Sequence, residues 1–206
     1  MTRALCGLYA ITDRDLMGND LLARAERAIA GGARLLQYRD KSTDMRRREQ
    51  EATALAQLCQ QQDVCFIIND DPALALKVHA DGVHLGQSDP DIVSARHTLG
   101  ADKIIGITCH GSLKKALIAE KAGADYVAFG RFFPSQTKPD AALAGIDILQ
   151  QAARKLSIPI VAIGGITPEN SGALLEAGAD MLAVIHGIFG TPDIRQAAAA
   201  FARLFD

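Results

Sequence analysis

The sequence has little that would tie it to a metal cluster, a disulfide scaffold or a membrane. Its four cysteines (Cys6, Cys59, Cys65 and Cys109) form no Cys-x-x-Cys pair and lie near no histidine-rich metal spacing. A structural zinc site and a disulfide framework are therefore not expected, and this cysteine usage favours a reducing cytoplasm. No apolar run approaches the ~20 residues of a membrane-spanning helix. No basic-then-apolar signal region precedes the first strand-like run.

The sequence also has no large excess of positive or negative charge. The formal net charge is −2, and the one basic cluster, Arg46 to Arg48, lies in a helical pattern and is interpreted as a solvated helix face. A nucleic-acid partner is not expected. With 49% hydrophobic and 22% charged residues, and no linker or low-complexity tract, the composition predicts one soluble globular domain over residues 1–206. It leaves a homo-oligomer open.

Short apolar runs alternate with helical patterns along the chain. The predicted strands are Gly7–Thr12, Leu35–Arg39, Val64–Asn69, Gly82–Gly86, Lys103–Thr108, Tyr126–Gly130, Pro159–Ile163 and Met181–Ile185. The predicted helices are Leu21–Ala30, Met45–Gln62, Pro72–His79, Pro90–Leu99, Leu113–Ala122, Ile146–Leu156, Pro168–Ala177 and Ile194–Phe205. Thr167 is the predicted N-cap of the helix that starts at Pro168.

This alternation predicts an α/β fold, the (β/α)8 TIM barrel. The strands are nearly continuous apolar runs, as expected of parallel strands covered on both faces. Glycine recurs directly after Ala30, Ala122 and Ala177, where its left-handed backbone conformation would end a helix before a strand. An open doubly wound sheet is the alternative, but no Gly-x-Gly-x-x-Gly follows the first strand.

Polar residues gather where the predicted strands end, which is where barrel enzymes place their chemistry. Asp70 and Asp89 follow neighbouring strands and offer the hard oxygen ligands that suit magnesium shared with substrate phosphates. The alternative is that both cap helices, Asp70 the one near Pro72 and Asp89 the one at Pro90.

Two groups of residues suit anions. Arg39, Lys41 and Lys138 would neutralise a pyrophosphate that carries magnesium. Gly164-Gly165 and His186-Gly187 follow the seventh and eighth strands, where barrel enzymes often hold a phosphate on backbone N–H groups and a helix dipole. Together with Ser135, Thr137 and Lys138 they would hold a phosphate without metal, since glycine lets the backbone approach closely. One site with metal and one without predict two phosphorylated ligands.

Other residues favour a structural interpretation. Cys109 and His110 are adjacent on an extended segment and point to opposite sides, so a nucleophilic pair is not expected. His84 lies inside an apolar strand, where a hydrogen-bonded core histidine is the simpler interpretation. Phe132 and Phe133 could wall a flat ring or pack beneath the loop.

Several motifs in order resemble the thiamine-phosphate synthase family over nearly the whole chain. They are QYRDK at Gln37, NDD at Asn69, GVHLGQSD at Gly82, TKP at Thr137 and AIGGI at Ala162. The resemblance implies the same barrel and a magnesium-dependent transferase. Its substrates would be two small molecules, a pyrimidine pyrophosphate and a thiazole phosphate, and its products thiamine phosphate and pyrophosphate.

The resemblance also implies roles for individual residues. Asp70 and Asp89 would hold magnesium, and the catalytic cations would be Arg39, Lys41 and Lys138. The pyrimidine pyrophosphate would contact Gln37, Arg39, Lys41, Asn69, Thr108 and Lys138, and the thiazole phosphate Ser135, Thr137, Gly165, Ile185 and His186. Tyr38, Asp40 and Gln136 complete the expected substrate-binding set because they lie within the same motifs.

Three positions differ from the family's commonest pattern. Thr108 and His186 stand where serine is usual, and Ser135 stands where threonine is usual. Thr108 and Ser135 keep a hydroxyl, so function is expected to survive these two changes. His186 does not keep one, but a contact made through its backbone N–H would not depend on the side chain. Two rivals stay open, a related thiazole tautomerase and a barrel that senses thiazole phosphate without turnover.

Overall fold

The structure is a computed structural model that describes residues 5–134 and 142–206. Its strands are β1 (Gly7–Ile11), β2 (Leu35–Tyr38), β3 (Cys65–Asn69), β4 (Gly82–Leu85), β5 (Ile104–His110), β6 (Tyr126–Gly130), β7 (Ile160–Ile163) and β8 (Met181–Val184). They form one closed parallel barrel in sequence order, with β8 paired to β1. The predicted (β/α)8 barrel is confirmed, and closure excludes the open sheet.

Helices follow the strands on the outside of the barrel. They are α1 (Arg14–Met17), α2 (Leu21–Ala30), α3 (Met45–Gln61), α4 (Pro72–Lys77), α5 (Ile92–Leu99), α6 (Leu113–Lys121), α7 (Asp147–Ala153), α8 (Gly172–Glu176), α9 (His186–Phe189) and α10 (Ile194–Ala202), with a 3-10 turn over Arg203–Phe205. None of the helices in the described ranges is both long and apolar enough to cross a membrane.

One predicted helix start is wrong. Thr167 does not cap a helix at Pro168, because α8 begins only at Gly172, with Ser171 as its N-cap. Instead, residues 167–170 form a turn in which the Asn170 side-chain oxygen accepts the Thr167 N–H at 2.9 Å. The helix is therefore about one turn shorter than the Pro168–Ala177 pattern predicts.

Two apolar cores explain the continuous hydrophobic strands. Successive residues of β1 alternate between them: Leu8 and Ala10 pack between the sheet and the helices, whereas Tyr9 and Ile11 fill the barrel interior. Both faces of the strand are buried, so both must be apolar or internally hydrogen-bonded.

The recurring glycines end helices as predicted. Gly32, Gly123 and Gly178 have φ of +101°, +94° and +104°, in the left-handed region where a side chain is strained.

Three aspartates tie pairs of strands together at the amino-terminal end of the barrel. Asp81, Asp125 and Asp180 stand just before β4, β6 and β8. Each carboxylate accepts a backbone N–H at the start of the preceding strand, from Phe66, Ile105 and Ile160, all at 2.8 Å. These partly buried bonds lie opposite the polar end of the barrel and stabilise the fold rather than a ligand site.

Candidate active site

A cavity of about 320 Å³ opens at the carboxyl ends of the strands. All eight strands contribute to its walls, so it occupies the centre of the barrel mouth. Seven of the residues predicted to bind substrate line it: Gln37, Arg39, Asn69, Thr108, Gly165, Ile185 and His186. Residues more than a hundred positions apart in the chain are thus brought around one space.

Lys41 and the two predicted metal ligands meet beside this cavity. Lys41 forms an ion pair with Asp70, and Asp70 shares a hydrogen bond with Asp89. Asp89 is held in turn by the Gly86 N–H, 2.7 Å from its Oδ2. Lys41 and Asp70 line a groove that meets the cavity at Asn69, which borders both. The structure therefore brings Lys41, Asp70 and Asp89 together at one rim.

The helix-capping alternative for these aspartates is wrong. The N-cap of α4 is Asp71, whose side chain accepts the Leu74 N–H at 2.9 Å. The N-cap of α5 is Asp91, which accepts the Ser94 N–H at 2.8 Å. Asp70 and Asp89 therefore have no capping role, and Asp70 adopts a left-handed φ of +64° at the end of β3. A non-glycine residue in that conformation costs free energy and is common at functional sites.

The electrostatics of the aspartate pair suit a divalent cation. Burial and the hydrogen bond with Asp70 raise the pKa of the Asp89 carboxyl. Burial also raises the pKa of Asp70, but the hydrogen bonds with Lys41 and Asp89 outweigh it, so that the pKa of Asp70 is lowered. Two touching carboxyls must share a proton or a cation. No cluster of three metal-ligating side chains occurs in the ranges that the structure describes, so the remaining ligands of a magnesium ion would come from substrate oxygens and water.

Tyr38 and Asp40 do not line the cavity. Tyr38 packs between sheet and helices, and its hydroxyl donates to Glu51 on α3 at 2.7 Å. Asp40 accepts the Ser42 N–H at 2.7 Å and the Arg47 guanidinium at 2.6 Å. The side chains of this motif thus alternate, with Gln37 and Arg39 facing the cavity and Tyr38 and Asp40 bracing the loop that positions Lys41.

The basic cluster on α3 is only partly solvated. Arg47 pairs with Asp40, and Arg48 pairs with the α4 cap Asp71 at 3.1 Å, with only 14% of the Arg48 side chain exposed. The expectation of a fully solvated helix face is therefore wrong, because two of its three arginines hold the loops after β2 and β3 in place.

Glycine is required at the other side of the mouth. Gly165 has a φ of +65°, and a Cβ there would lie 2.3 Å from the Pro134 carbonyl oxygen. A Cβ on Gly164, at φ +105°, would lie 2.3 Å from the Cβ of Arg131. Ile185 is the N-cap of α9 and His186 is its first residue, and both line the cavity.

Four predicted residues, Ser135, Gln136, Thr137 and Lys138, lie outside the described residues. Phe132, just before them, is buried in the core, and Phe133 packs partly against it. Neither ring borders the cavity, so the alternative that they wall a flat ligand ring is wrong and both serve packing.

Cys109 has no nucleophilic role in this arrangement. Its side chain is fully buried between the sheet and the helices, and burial raises the pKa of the thiol to about 12. The register of β5 shifts between Thr108 and His110. Such an irregularity re-aims side chains at a barrel rim, and it leaves Thr108 and His110 on the cavity while Cys109 faces away.

The sequence analysis missed several residues of the cavity wall. Tyr9 and His84 face its floor, and His110, Arg131 and Thr167 lie on its rim. Strand parity could have identified Tyr9, because it shares the inward face of β1 with Ile11, which also lines the cavity. His84 does behave as a hydrogen-bonded interior histidine, as expected, with both ring nitrogens bonded to side chains.

The chain is similar to known proteins both in its sequence and in its structure. The profile of the family described as thiamine monophosphate synthase matches residues 8–188. The thiamine-phosphate synthase of Thioalkalivibrio sulfidiphilus is 54% identical over 98% of this chain and 96% of its own length. That of Nitrosococcus oceani is 52% identical over 100% and 95%. A solved thiamine phosphate pyrophosphorylase from Pyrococcus furiosus superposes with a TM-score of 0.89 at 36% identity, covering 97% of this chain and 95% of that one.

Proposed function

Since this chain belongs to the thiamine monophosphate synthase family, and is a transferase, we propose that it joins a pyrimidine pyrophosphate to a thiazole phosphate. The products would be thiamine phosphate and pyrophosphate. The observation that supports these substrates best is the meeting of Lys41, Asp70 and Asp89 beside a cavity that extends across the barrel mouth to Gly165 and His186. The pyrimidine would place its pyrophosphate beside Lys41, Asp70 and Asp89. The thiazole would place its phosphate beside Gly165 and His186.

The pyrophosphate end is assigned to the charged rim. Asp70 and Asp89 would hold magnesium, which supplies positive charge to the departing pyrophosphate when bound. Lys41 would leave its ion pair with Asp70 to contact the pyrophosphate oxygens. Arg39, whose guanidinium lies 3.6 Å from Asp13, lines the cavity and adds a second cation. The resemblance in sequence adds Lys138 as the third.

The phosphate of the thiazole is assigned to the glycine-rich rim. Gly165 allows close approach of backbone, and the first turn of α9 offers N–H donors at Ile185 and His186. A backbone contact explains why the His186 side chain need not match the family's usual serine. Ser135 and Thr137 are assigned to the same phosphate by resemblance.

The arrangement supports a dissociative reaction. The bond between the pyrimidine methylene carbon and the pyrophosphate oxygen breaks first, and the electron pair leaves with pyrophosphate. The resulting pyrimidine-methyl cation is captured by the thiazole nitrogen. Apolar walls at Ile11, Val161 and Ile163 would keep out water, which would otherwise capture the cation. Positioning and charge stabilisation are the protein's contribution, and no protein nucleophile is needed.

The direct test is to incubate the purified protein with both substrates and magnesium. We expect thiamine phosphate and pyrophosphate in equal amounts, and neither product when one substrate is left out. Failure to form thiamine phosphate under these conditions would overturn the proposal.

Calorimetry separates the two rival functions. A synthase binds the pyrimidine pyrophosphate only with magnesium and binds the thiazole phosphate with or without it. A thiazole tautomerase or a thiazole phosphate sensor would bind the thiazole phosphate alone, so absence of pyrimidine pyrophosphate binding would favour those rivals.

A further inference from the structure

A chain of five hydrogen-bonded side chains crosses the floor of the cavity. Gln37 Nε2 donates to the Tyr9 hydroxyl at 2.7 Å, and the Tyr9 and Tyr126 hydroxyls are 2.9 Å apart. The Tyr126 hydroxyl lies 2.9 Å from His84 Nδ1, and His84 Nε2 lies 2.8 Å from Thr108 Oγ1. The chain thus links β2 to β5 through β1, β6 and β4. The proposed reaction uses only its two ends, Gln37 and Thr108.

The hydrogen bonds fix one direction along this chain. Because the Tyr9 hydroxyl accepts from Gln37, its own hydrogen goes to Tyr126. Burial raises the pKa of both phenols, Tyr9 and Tyr126, so both remain protonated. The hydrogen of Tyr126 then goes to His84 Nδ1, since a buried donor without an acceptor costs free energy. His84 Nδ1 is therefore the acceptor, and the hydrogen on Nε2 is donated to Thr108.

The interior of the barrel is shaped around this chain. The Tyr126 ring stacks on His84 with centroids 5.5 Å apart and meets Tyr9 edge-on at 6.1 Å. Gly106 on β5 makes room for it, because a Cβ there would lie 1.9 Å from Tyr126 Cζ. A phenylalanine would fill the same space without burying a hydroxyl. The hydroxyls therefore serve the polar groups at the ends of the chain more than the packing.

The direction of the hydrogen bonds decides which donor and acceptor groups Gln37 and Thr108 each present to a ligand. Gln37 spends one N–H on Tyr9, which fixes its amide group and leaves its carbonyl oxygen and its second N–H for a ligand at the cavity. Thr108 accepts from His84, which leaves its hydroxyl hydrogen as a donor. An aminopyrimidine has the matching groups, N–H donors on the amino group and acceptor nitrogens in the ring.

We propose that Tyr9, Tyr126 and His84 are positioning residues that impose this direction, so that the cavity selects an amino-substituted pyrimidine over its oxo counterpart. The inference rests on the proposed function for its ligand, although the direction of the chain does not. An oxo group would place an acceptor against the Gln37 carbonyl oxygen, and a site built for a donor rejects such an analogue strongly.

The direction is tested first, by nitrogen-15 NMR of histidine in the unliganded protein. The His84 signal is assigned by its loss in His84→Asn. We expect the tautomer with hydrogen on Nε2, and a hydrogen on Nδ1 would overturn the inference. This measurement needs no substrate. An Nε2–H tautomer in a protein that makes no thiamine phosphate would overturn the proposed function and leave the direction of the chain established.

Selectivity is tested with Tyr126→Phe, which keeps the ring and breaks the chain. We expect the preference in kcat/KM for the amino over the oxo pyrimidine pyrophosphate to fall at least about tenfold. The KM for thiazole phosphate serves as the internal control and should stay within about twofold, since that substrate does not contact the chain. An unchanged preference, or an equal rise in both KM values, would overturn the inference.

A second pair of variants covers the case in which Tyr126→Phe does not fold. His84→Asn retains an acceptor near Nδ1 for Tyr126, whereas His84→Gln retains a donor near Nε2 for Thr108. We expect the larger loss of amino preference in His84→Gln, because only that variant releases the Gln37 end, which meets the amino group. Equal loss in both variants would contradict a directed chain.

Discussion

Lys41 and Asp70 form an ion pair on the rim of the barrel mouth although 29 residues separate them. Asp70 also shares its hydrogen bond with Asp89, so a cation and two carboxyls occupy the place where a metal-bound pyrophosphate is proposed to sit. Lys41 has 59% of its side chain exposed and can exchange this partner for substrate at little cost, because exposed ion pairs contribute about 0–1 kcal/mol.

Loss of either carboxylate should impair the reaction through the metal. We expect Asp70→Asn and Asp89→Asn each to lower kcat/KM at least ~10²-fold, since transition-state charge stabilisation of this kind is worth that much. Both should also raise the magnesium concentration needed for half-maximal rate. Asp102→Asn, at an exposed position before β5, is the matched control. Normal magnesium dependence in both site variants would contradict the assignment.

Loss of a rim cation should lower the rate of pyrophosphate departure. We expect Lys41→Ala and Lys138→Ala each to reduce turnover at least ~10²-fold, measured as steady-state release of pyrophosphate. Lys114→Ala, on the outer surface of α6, should be unaffected. Near-normal turnover in both folded site variants would refute the electrostatic scheme.

Asp40 should stabilise the fold in a pH-dependent way. Burial raises the pKa of its carboxyl, but the hydrogen bonds from Ser42 and Arg47 outweigh it and hold the pKa below the usual 3.8. A carboxyl whose pKa is lower in the folded chain stabilises the fold above its unfolded pKa, and this contribution is lost as the pH falls through the folded pKa.

We therefore expect Asp40→Asn to lower the free energy of unfolding by about 1–3 kcal/mol at pH 7, the cost of leaving a buried partner unsatisfied. The difference in the free energy of unfolding between Asp40→Asn and the parent protein should become smaller as the pH falls below about 4. Denaturant unfolding at pH 7 and at a pH below about 4 measures this difference. A gap of equal size under both conditions would show that the Asp40 charge has no part in the effect.

The glycine-rich rim should be sensitive to a single methyl group. In Gly165→Ala the new Cβ would meet the Pro134 carbonyl oxygen at a positive φ, so we expect the KM for thiazole phosphate to rise at least about tenfold. Gly172→Ala is the control, since nothing lies within 4 Å of a Cβ there. It should leave KM unchanged. Similar kinetics for the two variants would remove Gly165 from the phosphate site.

Local patterns predicted much of the fold because both the strands and the glycine helix ends are set by nearby residues. The hydrophobic runs located every strand within two residues. The sequence could not show which of two adjacent aspartates caps α4, since Asp70 and Asp71 are the same residue type in neighbouring positions. Only the backbone geometry shows that Asp71 caps α4 while Asp70 turns to the mouth.

Contacts across the barrel were beyond such patterns. Tyr9 and Tyr126 are 117 residues apart, and their hydroxyls meet only because closure of the barrel brings β1 and β6 to face each other. Arg39, Lys41, Asp70 and Asp89 were found because a rim concentrates polar groups. Tyr9 and Tyr126, which join Gln37 to His84, were missed because each stands singly within an apolar strand.

The aspartates before β4, β6 and β8 have a consequence for how the chain could be reordered. Each carboxylate ties its own strand to the strand before it. These three side-chain ties therefore lie within the pairs β3–β4, β5–β6 and β7–β8, and none of them crosses from one pair to the next. A circular permutant that starts at Gly100, between α5 and β5, keeps every such tie within one continuous segment. One that starts between Lys77 and Asp81 separates β3 from the aspartate that secures it, and should assemble less readily.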